Sequence, residues 1–311
     1  MEINKIYNEN CLEGMKRIAD GSVDLVIADP PYYKVINEEW DKQWKTEEEY
    51  IEWCKLWISE VVRVMKNNGS LYLYGNISVL SKLKVLILDK CLYSRQIICM
   101  NKGVKSIAGR TSRKLRMFPT ASEYCMFFVK QNKDAAIDSD MCFMALRKYF
   151  VNAMTAAGLN RSAVNKLLGH RKAEHTFYTK GQWSLPTKEV YSELKSIMEL
   201  PLPYADIVSE YNRSRFTFNL PVGVTDVWDF NPDKVRYGHP TQKPQDITER
   251  IITSSSNHND LVLVPFVGSG SECVGCMNTG RNFIGFEMDK GYYDIACKRI
   301  EDHKEETNGN Q

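Results

Sequence analysis

No stretch of this sequence approaches the ~20 consecutive apolar residues that a bilayer-spanning helix needs. The opening residues, Met1-Glu2-Ile3-Asn4-Lys5, hold no signal-peptide core. The expectation is a cytoplasmic protein with no membrane partner. Nine cysteines are present but form no framework, which fits reduced thiols rather than a disulfide scaffold. The close pair in Cys273-Val274-Gly275-Cys276 has no second pair or histidine cluster to complete a metal site. It reads as two small helix-packing residues, and no metal is expected. Strong net charge is also missing, at +2 over 311 residues. There is no Gly-x-Gly-x-x-Gly fingerprint, and no lysine follows a glycine turn to grip phosphates, which argues against a pyrophosphate ligand. What remains, 26% charged and 43% hydrophobic, is an ordinary soluble composition, long enough for one large domain or two small ones.

The charge is small in sum but uneven in place. Lys102, Lys105, Arg110, Arg113, Lys114 and Arg116 fall in one stretch without an acid. Arg147 to Lys180 holds seven Lys/Arg and one acid, Glu174. Acids gather elsewhere, at Glu47-Glu48-Glu49 and over 301–306. A basic middle suggests a face turned to a polyanion; a solvated loop surface is the alternative.

Along the chain, periodicity predicts a short strand at 3–8, a helix at 12–18 and a buried strand at 23–28. A helix over 46–65 opens with a Thr46/Glu49 capping box. Its stripe of Trp53, Cys54, Trp57, Ile58, Val61, Val62 and Met65 reads as core. Asn67-Asn68-Gly69 is expected to end that helix. Strands at 70–74, 94–100 and 123–130, with a helix at 79–89, complete an alternating α/β first part. The alternation stops near 132. Helices at 144–156 and 161–168 flank the turn Gly158-Leu159-Asn160. They read either as a helix-turn-helix, with Arg161, Ser162, Asn165, Lys166 and His170 facing DNA, or as a plain αα-hairpin. A further helix spans 187–198. After Asp226-Val227-Trp228-Asp229-Phe230 the alternation resumes, with helix 245–255, strand 261–264, helix 271–279, strand 283–287 and helix 290–300.

Two loops carry chemistry. The apolar run Val23–Ala28 ends in Asp29-Pro30-Pro31-Tyr32, where the prolines cannot extend a sheet. Asp29 and the Pro30 carbonyl are two acceptors on a stiff frame, suited to a planar –NH2 group, and the Tyr32 ring offers a stacking face. Taken alone, a strand-ending turn explains the same residues. The second loop, Pro265-Phe266-Val267-Gly268-Ser269-Gly270, lies between a strand and a helix. Glu287 follows Gly270 by 17 residues, near the ~20-residue spacing of an acid that binds ribose hydroxyls. An adenosine ligand without pyrophosphate fits, namely S-adenosylmethionine. Asn10, at a strand end, either caps a helix or meets the cofactor's edge.

With His239-Pro240-Thr241-Gln242-Lys243-Pro244 between them, these motifs in this order resemble the β class of DNA amino-methyltransferases, a circularly permuted family. The resemblance covers essentially residues 3–302, with 132–222 least constrained. It implies an α/β, Rossmann-like S-adenosylmethionine-dependent methyltransferase sheet with an inserted, mainly helical target-recognition region. The catalytic half would be 1–131, the recognition insertion 132–222 and the cofactor half 223–311. Asp29, Pro30, Pro31 and Tyr32 would hold the target base. Asn10, Asp29, Pro265, Phe266, Gly268, Ser269, Gly270 and Glu287 would line the S-adenosylmethionine site. His239, Thr241, Gln242 and Lys243 would contact its methionine end or support the loop that does. Lys102, Lys105, Arg110, Arg113, Lys114, Arg116, Arg161, Asn165, Lys166 and Arg171 would face double-stranded DNA.

The implied reaction methylates N6 of a flipped-out adenine. Cytosine N4, RNA methylation and a DNA-binding homologue with impaired catalysis are the alternatives. The family's Asp-Pro-Pro-Tyr form leans to adenine, and a Ser in place of the Asp leans to cytosine. A homodimer and a companion restriction endonuclease are further expectations. One departure from the family pattern stands out. Val264 occupies the place of an Asp before Pro-Phe, which removes an anion suited to the cofactor's ammonium.

Overall fold

The computed structural model describes residues 1–33, 43–103, 116–130, 144–177, 183–214, 216–219, 221–230, 237 and 242–309. The chain separates into two compact units, one formed by 1–130 with 217–311 and the other by 131–216.

In the first unit the described strands form one eight-stranded sheet. They are β1 (Lys5–Tyr7), β2 (Val23–Ala28), β3 (Met65–Gly75), β4 (Tyr93–Asn101), β5 (Ser122–Val129), β6 (Val227–Asp229), β7 (Leu261–Val264) and β8 (Asn282–Phe286). The order across the sheet is β1-β8-β7-β2-β3-β5-β4-β6. Every neighbouring pair is parallel except β3–β5 and β4–β5, so β5 alone runs against the rest. β2, β7 and β8 are buried almost throughout, as strands covered by helices on both faces must be.

Helices α1 (Cys11–Met15), α2 (Glu47–Val64), α3 (Ile77–Leu86), α8 (Gln245–Ser255), α9 (Ser271–Thr279) and α10 (Lys290–Gly309) belong to this unit. The α2 stripe is mainly core: Tyr50, Cys54, Trp57, Ile58, Val61 and Val64 are buried against Met15, Val26, Leu71 and Phe128. Each such side chain contributes roughly 1.5–3 kcal/mol. The Thr46 hydroxyl caps α2 by accepting from Glu49 N at 3.2 Å. Cys273 and Cys276 are buried packing residues of α9.

Three local expectations are corrected. Asn67-Asn68-Gly69 does not cap α2, which ends at Val64; it lies inside β3, at an irregularity where pairing jumps from Val23↔Met65 to Leu25↔Ser70. Gly69 is needed there because a Cβ would meet the Lys66, Val23 and Asp24 carbonyls at 3.0–3.2 Å. α10 runs to Gly309 rather than 300, its extension containing the good helix formers Glu301, Lys304, Glu305 and Glu306. The three-residue strand β6, too short to show a period, was not foreseen.

The second unit holds α4 (Met144–Ala156), α5 (Arg161–Leu168), α6 (Lys188–Ile197) and α7 (Tyr204–Ser214). Phe150, Val164, Ala173, Phe177, Tyr191, Leu194 and Ile207 form its core. Asn160 caps α5 at one end, and Gly169, at φ 72°, ends it. α7 was not foreseen from the sequence. The Pro203 carbonyl opens the helix by accepting from Asp206 N and Ile207 N.

Candidate active site

Sheet order brings distant segments together. β2 pairs with β7, β7 with β8 and β8 with β1, all parallel. The loops after four strands therefore leave the same edge side by side: Asp29–Tyr32 after β2, Pro265–Gly270 after β7, Glu287 after β8 and Asn10 after β1. This is the carboxyl-end crevice where open α/β sheets bind ligands. A cavity of about 820 Å³ opens there, lined by all four loops and by Trp53, Gln242, Lys243 and Glu272.

Asp29 is held at both oxygens. Tyr32 donates its hydroxyl to Asp29 Oδ1 at 2.7 Å. The Lys243 ammonium lies 2.7 Å from Asp29 Oδ2 and 3.8 Å from Glu123. Lys243 is only 5% exposed. Burial pushes its ammonium down, but Asp29, Glu123 and Tyr74 outweigh that and hold it above the ordinary lysine value. Burial likewise pushes Glu123 up, and Lys243 and Lys102 more than reverse it. Lys102, Glu123, Lys243 and Asp29 thus form a chain of alternating charge. Tyr50 fixes the loop by donating to the Pro31 carbonyl at 3.0 Å. Among the described residues no donor takes the Pro30 carbonyl.

The glycine turn is shaped by backbone. Gly268 and Gly270 have φ of 53° and 82°, a region costly for other residues. A Cβ on Gly270 would also lie 3.2 Å from the Ala296 Cβ. Gly268 N donates to Glu287 Oε2 at 2.8 Å, and Asp289 N donates to Oε1 at 2.9 Å. Burial pushes the Glu287 carboxyl up, against those backbone bonds. Phe266 packs edge-on against Trp57 at 5.3 Å and against Trp53 at 5.8 Å, giving an aromatic wall. Behind the turn, buried Arg299 donates to the Ser269 carbonyl at 3.2 Å, Ser271 Oγ at 2.9 Å and Gln245 Oε1 at 3.0 Å.

Glu272, in the first turn of α9, is 5% exposed and lines the cavity. Its Oε1 is buried without a hydrogen-bond partner. Burial, with Asp29 next in effect, pushes its carboxyl up to about 7.

The other expected site residues fall as follows. The Asn10 side-chain oxygen caps α1, accepting from Leu12 N at 2.9 Å, and the residue also lines the cavity. Pro265, Phe266, Gly268 and Ser269 line the cavity, whereas Gly270 stands behind it as the start of α9. Gln242 lines it and accepts from Tyr237 N at 3.0 Å. His239, Thr241, Lys105, Arg110, Arg113 and Lys114 lie outside the described residues. Lys102 is paired with Glu123, and Arg171 with Glu174 at 2.7 Å. Arg116, Arg161 and Lys166 are exposed, while Asn165 Oδ1 is buried.

Sequence reasoning missed Glu123, Glu272 and Arg299, and assigned Trp53 wholly to the core. Faint signals existed. Glu123 opens an otherwise apolar strand, and Arg299 lies on the buried face of α10 with Ala296 and Ile300.

A family described as DNA methylase matches residues 23–298. The Type II methyltransferase M1.MboII of Moraxella bovis is 26% identical over 95% of this chain and 96% of its own length. The DNA adenine methyltransferase YhdJ of Escherichia coli (strain K12) is 28% identical over 96% of this chain and 83% of its own. The crystal structure of the M1.HpyAVI–SAM complex superposes with a TM-score of 0.53 at 20% identity, over 95% of this chain and 98% of that one.

Proposed function

The chain belongs to the DNA methylase family, and from that premise we propose that it transfers a methyl group from S-adenosylmethionine to N6 of adenine in double-stranded DNA. The observation that carries the reading is that Asp29, Pro30 and Tyr32 share one cavity with the Phe266–Ser269 turn and Glu287. An acceptor pair for an amine thus faces a wall suited to an adenosine.

The residues fit such a donor. The cavity falls in the ~300–1,000 Å³ range of small-ligand sites. Glu287 is held in place by two backbone amides and keeps lone pairs for ribose hydroxyls. Phe266 and Trp53 offer ring faces, and the bare Glu272 oxygen calls for a donor. Bound S-adenosylmethionine supplies a methyl group on a sulfonium sulfur, which the amine nitrogen takes as the S–C bond breaks.

The chain's own residues do the rest. The adenine amine is a weak nucleophile because its lone pair is delocalised into the ring. Asp29 and the Pro30 carbonyl accept hydrogen bonds from its two N–H groups and favour a pyramidal nitrogen, and one of those protons leaves nitrogen for solvent once the methyl is attached. Lys243 holds Asp29 in place through their 2.7 Å contact. Acceptors aimed at the positive charge that develops on nitrogen lower the barrier, and holding the reacting atoms ~3–3.5 Å apart contributes most. A stacked base cannot enter, so the base leaves the duplex and stacks on Tyr32. Arg116, Arg161, Lys166 and the basic stretch 102–116 hold DNA phosphates, with 132–222 as the recognition region. The Asp at position 29 favours adenine, as in the β class, and YhdJ is named an adenine methyltransferase. A homodimer and a companion restriction endonuclease belong to the same proposal.

Incubation with methyl-labelled S-adenosylmethionine and mixed DNA and RNA, followed by nucleoside analysis, tests it. Labelled N6-methyladenine in DNA is the expected product. N4-methylcytosine would move the assignment to the other amine, and label confined to RNA, or no label at all, would overturn it.

A further inference from the structure

We propose that Glu272 is the counter-ion for the α-ammonium group of the methyl donor, a role that rests on the methyltransferase reading above. Glu272 is buried and lines the cavity, and among the described residues no donor reaches its Oε1. A buried carboxyl left in this state is costly, and the cost disappears when a charged donor arrives.

Among the described residues, the cations that act on Glu272 are already engaged. Lys243 is committed to Asp29 and Glu123. Arg299 is committed to Ser269, Ser271 and Gln245. Val264, at the end of β7, is fully buried and brings no charge. The missing partner is therefore a ligand group that carries positive charge and several N–H donors. An amino-acid ammonium has both.

Position agrees with this. Glu272 feels Asp29, Lys243 and Arg299, so it lies on the side of the amine-acceptor loop. Glu287 is instead held by Gly268 and Asp289. A donor whose ribose meets Glu287 and whose methyl faces Asp29 brings its amino-acid end toward Glu272.

The groups that face Glu272 are Asp29 from the β2 loop, Lys243 before α8, Tyr74 on β3, Arg299 on α10, and Cys273 and Cys276 on its own helix. With its carboxyl up near 7, ligand-free Glu272 is partly protonated at neutral pH. Binding an ammonium ionises it, so binding releases protons.

Calorimetric titration tests this with two stable probes, S-adenosylhomocysteine and its desamino analogue, on the wild type and Glu272→Gln. For the wild type, removal of the probe's amino group costs about 10- to 100-fold in affinity. For Glu272→Gln both probes bind alike, at the strength of the wild type with the desamino probe. Titrations at pH 7 in buffers of different ionisation enthalpy show proton release in the wild type and none in the variant. Proton uptake by the wild type, or equal sensitivity of both proteins to the missing amino group, overturns the proposal. If Glu272→Gln does not fold, the wild-type probe pair still decides, because a loss under about threefold excludes an ion pair. Failure of the wild type to bind S-adenosylhomocysteine at all strikes the methyl-donor reading instead.

Discussion

The Lys243 ammonium lies 2.7 Å from Asp29 Oδ2, and both groups are largely removed from water. An ion pair in that setting loses much of its attraction to the cost of stripping water from both charges. Its value lies in geometry: Asp29 stays aimed, next to the Tyr32 ring and the Pro30 carbonyl.

Lys243→Met therefore leaves two half-buried carboxylates, Asp29 and Glu123, without their shared cation. The expected loss is about 3–5 kcal/mol of unfolding free energy, read by urea denaturation. Methyl transfer falls at least about a hundredfold, because a misplaced acceptor spoils the reactive geometry. Lys243→Arg does not restore the rate, since a planar fork cannot occupy the compact ammonium site. A variant of unchanged stability and rate would remove Lys243 from the site.

Asp29→Ala abolishes methyl transfer and leaves DNA affinity within a few-fold of wild type, measured by fluorescence anisotropy at fixed salt. On the proposed reading, DNA is held by phosphate contacts elsewhere on the surface, and those are indifferent to this carboxylate. Near-normal turnover by the variant would sink the functional assignment.

Glu272 makes ligand-free stability depend on pH. Its carboxyl rises in the folded state from the ordinary 4.5 to about 7, so the folded chain holds its proton more tightly than the unfolded one. The contribution is fully present below pH 4.5 and is lost as pH rises through about 7. The loss reaches up to about 3 kcal/mol. Glu272→Gln flattens that part of the profile, and urea unfolding at steps between pH 4.5 and 8 measures it. Parallel profiles for the two proteins would contradict the burial of an ionisable group at this position.

Gly270→Ala is strained by its left-handed backbone and by the Ala296 contact at 3.2 Å. It should cost about 1–2 kcal/mol and weaken S-adenosylhomocysteine binding by displacing Ser269. Gly21→Ala, whose φ is also positive but which has nothing within 4 Å, should share the strain and spare the binding. Equal binding losses in the two variants would rule out a local effect on the turn.

The parts of this fold that were legible in the sequence are those that short-range physics decides. β2 was read at Val23–Ala28 because two prolines stop it, and α5 at Arg161–Leu168 because Asn160 and Gly169 punctuate it. Asp29, Gly268 and Glu287 were readable for the same reason, each sitting at the end of a recognisable strand or turn. Asn67-Asn68-Gly69 misled because Gly serves a helix end and a strand irregularity equally well, and only the pairing of β2 with β3 distinguishes them. Lys243 was noticed, but its pairing with Asp29 was not, since nothing local says which acid a cation will meet. Glu272 was invisible, and Arg299 nearly so, for a deeper reason. A charged residue in a helix reads as solvated until the neighbouring elements are in place.

The pairing of β2 with β7 bears on how the chain comes to be folded at all. β3 covers one edge of β2 soon after it is made, but the other edge waits for Leu261–Val264. The whole helical unit is synthesised in between. A nascent chain therefore carries an apolar strand with one open edge through most of its synthesis, and any chain ending before residue 261 keeps it permanently. Such fragments associate through that edge rather than persist as monomers. The acceptor loop is translated early yet matures late, at the moment the donor-side strands arrive to close the sheet.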